Sequence, residues 1–325
     1  MPSYAGEGAK LQIGLESNWG TAVAPTVELD MLSEDFGEEM ITKTEETLVG
    51  KATTGRTDIM GKKVPGGFSI LVKPDNIGLL LACALGAESA ATGVGATSTV
   101  YDHDFSLITG SATMLPHFTA VVDKRASTKG FVSNKVKQMT FEMGNNDYLK
   151  ATVETLGYRE QADSLESLTL STLRAFNFND MTVEIDDTTV DEVLSAKVVI
   201  NNNLEDDLFV ADGSQYMIEP DRQRREVTVE LEVLWNDDIE TQRDDKYRAG
   251  EDVKLELIFT GATAAEGESY QLTFTFANAY YTQAKPTIGG PERMKLPLSL
   301  KAASIGSDEP LVVTLRDLQS SQYNS

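Results

Sequence analysis

Cysteine, histidine, basic residues and long apolar runs are what this sequence has least of. The single cysteine, Cys83, excludes an intrachain disulfide, so stability has to come from packing or from assembly. Beside it stand only His103 and His117, and no combination of His and Cys has metal-ligand spacing or forms a Cys/His or Ser/His/Asp set. The longest apolar run, Ile77 to Leu85, falls far short of the about 20 residues that span a bilayer. The first residues lack a basic region followed by an apolar stretch, so neither membrane insertion nor secretion is expected. Basic residues number 28 against 51 acidic ones, a net charge of -23 that repels phosphate and removes the counterion release behind nucleic-acid affinity. The chain reads as neither an enzyme nor a DNA gripper, with no metal and no cofactor.

Several short patterns suggest chemistry and then fall short of it. His103 lies in Asp102-His103-Asp104, read as a solvated loop at a strand start, and His117 reads as an exposed histidine facing away from Phe118, Ala120 and Val122. Carboxylates cluster at Asp186, Asp187, Asp191 and Glu192 and again at Glu205, Asp206 and Asp207, but neither has the spacing and mid-loop glycine of a calcium loop, so solvated turns are expected. The glycines at Val49-Gly50-Lys51 and Gly61-Lys62-Lys63 do not make a phosphate loop. A paired-carboxylate glycosidase finds no aromatic-rich sugar platform, since Trp19 and Trp235 are the only tryptophans.

What the chain has in abundance is alternation. From Glu226 to Trp235, Val227, Val229, Leu231, Val233 and Trp235 share one face, and Glu226, Thr228, Glu230 and Glu232 share the other. The same period of two recurs at 68–72, 118–122, 139–143, 149–153, 181–185, 253–259 and 272–276, so the fold is mainly β. Two short helices interrupt it. One runs from about Asn76 to Leu85, with Asp75 as N-cap, Gly86 as stop and an apolar stripe to pack on a sheet. The other, about Ile239 to Ala249, follows Asp237 and Asp238, ends at Gly250 and has a polar stripe suited to a surface or subunit contact.

The helices expose an internal repeat: a long polar loop, a strand, an acid-led helix, a glycine and further strands. The first copy has the loop Thr42 to Lys63 and ends near Arg159; the second has the loop Glu205 to Arg225 and ends near Leu318. Two tandem β domains follow, residues 1–160 and 161–325, with the junction in the polar stretch Glu160 to Ser167. Ala87 to Thr99 reads as a flexible surface loop and Gln319 to Ser325 as a frayed tail or short docking arm.

Several of these segments together resemble one family. Gly14-Leu15-Glu16-Ser17-Asn18-Trp19-Gly20-Thr21 with Pro25, Val64-Pro65-Gly66-Gly67, Pro74-Asp75-Asn76-Ile77-Gly78-Leu79-Leu80, Leu85-Gly86, Leu115-Pro116-His117-Phe118-Thr119, Lys135-Val136 through Phe141 and Leu156-Gly157-Tyr158 look like the major tail tube proteins of long-tailed bacteriophages. The resemblance implies a tail-tube-type β-sandwich or barrel with short flanking helices, here duplicated in tandem. It implies a structural virion protein of the tail, assembled in the host cytoplasm, whose copies form stacked rings around a channel for the tape-measure protein and then the genome. Its partners are then itself, the tape-measure protein and the tail terminator and tip proteins, with DNA passing through without specific binding. Many single-domain tube proteins are about half this length, so three chains, a trimeric ring with pseudo-sixfold symmetry, are favoured over a hexamer.

On this reading Glu226, Glu230 and Glu232 line the channel as an acidic wall. The two long loops make contacts between successive rings, and Thr47, Lys51, Arg56, Lys62, Arg222, Arg224 and Arg225 are the candidate inter-subunit contacts. The alternative is a receptor- or carbohydrate-binding β-sandwich module of a tail tip or cell surface; the adjacent Tyr280 and Tyr281 are its nearest approach to an aromatic platform, and interface packing suits them better.

Overall fold

Nearly every alternating stretch is a strand in the computed structural model, which describes residues 5–46, 55–95, 99–108, 113–286, 288 and 290–324. In the first half these are β1 (Lys10–Glu16), β2 (Val27–Leu29), β3 (Met31–Glu34), β4 (Glu39–Thr44) and β5 (Thr57–Leu71), then helix α1 (Gly78–Leu85). After α1 come β6 (Gly86–Glu88), β7 (Thr92–Val94), β8 (Val100–Leu107), β9 (His117–Asp123), β10 (Thr128–Met143), β11 (Lys150–Gly157) and β12 (Arg159–Ala162). The second half has β13 (Met181–Ile185), β14 (Thr188–Thr189), β15 (Val193–Asn201) and β16 (Glu226–Leu234), then α2 (Asp237–Gln242). A π-helical turn, Arg243–Tyr247, leads to β17 (Asp252–Ala265), β18 (Glu268–Ala284), β19 (Lys295–Ala302) and β20 (Val312–Asp317).

The halves pair their strands in the same order. β1 pairs with β9, β9 with β10, β10 with β11 and β11 with β5, all antiparallel. β13 pairs with β17, β17 with β18, β18 with β19 and β19 with β16 in the same way. Even the irregularities coincide. β10 slips against β11 between Val136 and Gln138, as β18 slips against β19 between Tyr281 and Gln283. β10 slips against β9 between Phe131 and Asn134, as β18 slips against β17 between Phe276 and Ala279. β3 slips against β5 between Met31 and Ser33, as β15 slips against β16 between Val193 and Ser195. A bulge bends its strand and strengthens local twist, and past these bulges β10 exchanges β9 and β12 for β11 and β15, as β18 exchanges β17 and β20 for β19.

Two joints fuse the halves. β15 adds to the open side of β10, from Gln138↔Asn201 to Met143↔Ala196, and β20 pairs with β8 from Val312↔Ser106 to Asp317↔Tyr101. One apolar core runs through both, and Phe141 meets Phe274 edge-on at 4.8 Å. Residues 160–162, the start of the expected junction Glu160 to Ser167, pair with β10 as part of β12, and the irregular connection begins after them. Gln12 pins it with its side-chain amide, which donates to the Glu166 carbonyl and accepts from the Glu166 N–H.

The helices differ from each other and from expectation. α1 is buried on every side rather than along one stripe, because sheet strands and the chain's own end cover it. Asp75 does not cap it. The preceding Asn76 takes the polar role by accepting from the Lys73 N–H and donating to the Leu71 carbonyl. Gly86 closes the helix at φ 90, a conformation a side chain would strain. α2 starts one residue after Asn236, whose side chain accepts from the Ile239 N–H, and the π turn carries the chain on to Gly250.

Candidate assembly wall and its edges

The pairings define one unbroken antiparallel sheet in the order β3, β5, β11, β10, β15, β16, β19, β18. It consists of a four-strand unit used twice. Alternation gives it one face sunk in the core, carrying Phe141, Val198, Val229 and Leu298, and one wet face.

Glu226, Glu230 and Glu232 all lie on that wet face, but the face is not an acidic wall. Cross-strand neighbours bring lysines to meet them. Lys301 holds Glu226, Lys295 is 3.0 Å from Glu232 and Lys197 is 3.1 Å from Glu142. The row Lys150, Glu142, Lys197, Glu230 alternates in sign across four strands. Over β11, β10, β15, β16 and β19 the wet face carries Glu142, Glu154, Glu226, Glu230 and Glu232 against Lys150, Lys197, Lys295 and Lys301, with Thr152, Thr140, Thr228 and Ser299 between them. It is polar and almost charge-balanced. The four lysines are the residues that sequence reasoning missed; alternation puts them on wet positions, but only the pairing register shows what they face.

The candidate contact residues scatter. Thr47 and Lys51 lie outside the described residues. Arg56 is exposed and bonded to Asp58. Lys62 sits 3.4 Å from Glu38 and lies over the Tyr216 ring. Arg222 donates to the Thr113 carbonyl, while the Arg224 side chain is exposed. Arg225 is engaged inside its own chain: its guanidinium donates to the Ala84 carbonyl at 2.7 Å, the Leu85 carbonyl at 3.0 Å and Asn202 Oδ1 at 2.6 Å. It thereby caps the C-terminal end of α1, where a positive charge opposes the helix dipole. Burial pushes this guanidinium below its ordinary range, aided by the charge of Arg222.

The two long loops also differ from expectation. Residues 57–63 are strand, paired with β4, and the second loop packs on them. The Lys62 N–H donates to the Gln215 carbonyl, the Met217 N–H donates back to the Lys62 carbonyl, and a small apolar cluster of Leu115, Leu156, Leu204 and Met217 lies beneath. Part of each loop is thus consumed in one intramolecular contact.

Both histidines are buried, contrary to expectation. His117 lies edge-on to Trp19 at 5.5 Å and 3.5 Å from the buried Glu16, whose carboxylate accepts from Ser133 and Thr119. His103 sits in β8 with Nδ1 3.0 Å from Glu88 and Nε2 2.8 Å from the Gln319 carbonyl, and Asp317 is 3.4 Å away. Burial opposes its charge, but hydrogen bonds to Asp317 and Glu88 prevail and raise it to about 10. The chain's end is no frayed tail: Tyr323 donates to Asp317, lies edge-on to His103 at 5.1 Å, and its N–H and that of Asn324 donate to Glu88.

Cys83 is fully buried, and burial raises its thiol. Asp186 and Asp187 form the β13–β14 turn at φ 49 and 60 and bond Lys246 and Lys254. Among the described residues, no group of three or more His, Cys, Asp or Glu is placed to hold a metal ion, and no helix is long and apolar enough to cross a membrane. Tyr281 is half-buried against Tyr247 rather than set out as a platform.

The family described as phage tail tube protein matches residues 6–302. No curated protein matches the chain.

Proposed function

The chain belongs to the phage tail tube protein family, and from that premise we propose that its copies join edge to edge into rings that stack as the tail tube and conduct the genome. It is a structural protein of the virion tail. Residues 1–160 and 161–325 act as two tandem tail-tube units, so three chains supply six units, and a trimeric ring with pseudo-sixfold symmetry is favoured over a hexamer. The observation that carries this reading is the unbroken sheet in which one four-strand unit, bulges included, occurs twice. A wall already repeating within the chain needs only the same step between chains to close.

The wet face lines the channel, with Glu226, Glu230 and Glu232 among its residues. Its near balance of charge suits passage: a positive wall would hold DNA by counterion release and a strongly negative one would oppose its entry. The tape-measure protein occupies the channel during assembly, and the terminator and tip proteins cover its ends. The β4–β5 hairpin, with Arg56 and the candidates Thr47 and Lys51, reaches the adjacent ring, and Arg222 and Arg224 join contacts between subunits. No step requires catalysis, and assembly takes place in the host cytoplasm.

Electron microscopy of the purified chain, with native mass measurement of the rings, tests the reading. Hollow rings of three chains are expected. A lone globule at every concentration would overturn it.

A further inference from the structure

The internal joint between β10 and β15 specifies an external one. In the second half β15 is a single strand, continuous from Val193 to Asn201 and paired on both sides. Its counterpart in the first half is broken. β3 stops at Glu34 and β4 begins at Glu39 in a separate ladder, yet both keep one register with β5, since the step from Glu34↔Phe68 to Glu39↔Lys63 is the same on both strands. Opposite this break, in the second half, lies the end of β18. The matching bulges make Val136 and Tyr281 equivalent, so Gln138 to Phe141, the stretch of β10 that receives β15, corresponds to Gln283 to Pro286. There β18 leaves the sheet after Ala284, and its outer side carries no strand among the described residues.

We infer that Gln283–Pro286 of one chain pairs antiparallel with Phe36–Glu39 of a second copy of this chain, in the register Gln283↔Glu39, Ala284↔Glu38, Lys285↔Gly37, Pro286↔Phe36. This register is the one that Gln138↔Asn201 through Phe141↔Val198 sets inside the chain.

Backbone groups on both edges already point outward and are held by local side chains. The Asp35 N–H bonds inward to the Gly67 carbonyl, so the Phe36 N–H points outward, where it donates to Glu34 Oε2 at 3.0 Å. The Ala284 carbonyl likewise points outward and accepts from Arg243 Nε at 2.8 Å. Such side-chain cover blunts an edge while the chain is alone, and a neighbouring backbone would replace it in both places. Pro286 lacks an N–H and gives up one bond of the ladder, but its carbonyl can accept from the Phe36 N–H. Charge also matches: Lys285 and Arg243 stand on the β18 side, and Glu38 and Glu39 on the other. The contact joins two different edges, so it runs head to tail and must close by rotation. Adding one strand to another orders residues 35–38 and extends β18, each by backbone bonds that the isolated chain lacks.

This pairing rests on the tube reading, and one experiment separates the two. Gln283 and Glu39 are both exposed and, by the hydrogen-bond alternation, would face each other as a non-hydrogen-bonded pair, the closest approach across an antiparallel ladder. The variant carrying both Gln283→Cys and Glu39→Cys is assembled and oxidised, with each single variant as control; Cys83 is buried and does not compete. Expected is a ladder on non-reducing gels that ends at a covalently closed ring, with at most dimers from the single variants mixed together. Tubes seen by microscopy that yield no cross-link above the level of a register control, Lys285→Cys with Glu39→Cys, would overturn the pairing and leave the tube reading standing. Absence of rings in the wild type as well would sink both.

Discussion

Replacing Arg225 distinguishes a folding role from an assembly role, and the two predict different measurements. Read from sequence, Arg225 belongs to an inter-subunit patch, and its loss would leave a normal monomer that fails to assemble. In the structure its guanidinium makes three bonds to Ala84, Leu85 and Asn202 within one chain. Two of these acceptors keep a partner without it: the Ala84 carbonyl retains Asn202 Nδ2, and the Leu85 carbonyl retains the Ile108 N–H. Asn202, fully buried, loses its Oδ1 donor. An unsatisfied buried acceptor costs about 1–3 kcal/mol, and removing a cation from a partly buried helix C-terminus costs up to about 2 kcal/mol. Burial of the guanidinium itself opposes these gains, so Arg225→Ala should lose about 2–3 kcal/mol in total. For a chain of this size that corresponds to roughly 3–4 °C in melting temperature. Arg225→Lys, with a point charge in place of a fork, should fall between wild type and alanine. The assay is urea or thermal unfolding at concentrations where the chain is monomeric. An alanine variant that melts with the wild type and is deficient only in assembly would refute the intramolecular assignment.

Other predictions follow from the same geometry. Phe141→Ala removes a buried ring at the seam between the halves and should cost about 3–5 kcal/mol, read as a lower urea midpoint for the whole chain. The triple variant Glu226→Lys, Glu230→Lys, Glu232→Lys should give tubes that retain DNA in a nuclease-protection assay, with binding that falls steeply as salt rises; unchanged release would argue against this face lining the channel. His103 is raised above its unfolded value, so its contribution is fully present below the ordinary histidine range and is lost as pH rises through about 10. Limited proteolysis should therefore release residues 319–324 more readily above that pH, and His103→Gln should remove the pH dependence. Deleting residues 47–56 should leave a folded chain whose rings no longer stack, scored by tube length in negative stain.

Much of the fold was legible because alternation is a local signal. Glu226 to Leu234 is a strand for the reason its sequence gives, with valines and leucines in and glutamates out. The repeat of loop, strand and helix was visible from Gly86 and Gly250, both at positive φ. What could not be read was anything fixed by register. Glu226 looked like part of an acidic stripe because Lys301 lies 75 residues further on, and only the β16–β19 ladder brings the two together. His103 looked solvated between two aspartates, yet strand β20 and the chain's end bury it. Arg225 looked like surface charge because the helix end it caps is 140 residues earlier. In each case the partner is distant in the chain and is brought close by strand pairing or packing, which local periodicity does not encode.

Two versions of one topological unit with unlike exteriors have a genetic consequence. α1 is wholly apolar and sealed in, whereas α2 opens with Asp237, Asp238 and Glu240 and keeps only Ile239 buried. In an assembly of identical small subunits a codon change would alter every station at once. In the ring proposed above, a change would reach one of the two units of each chain, so one exterior could acquire a new feature while its sibling keeps the original.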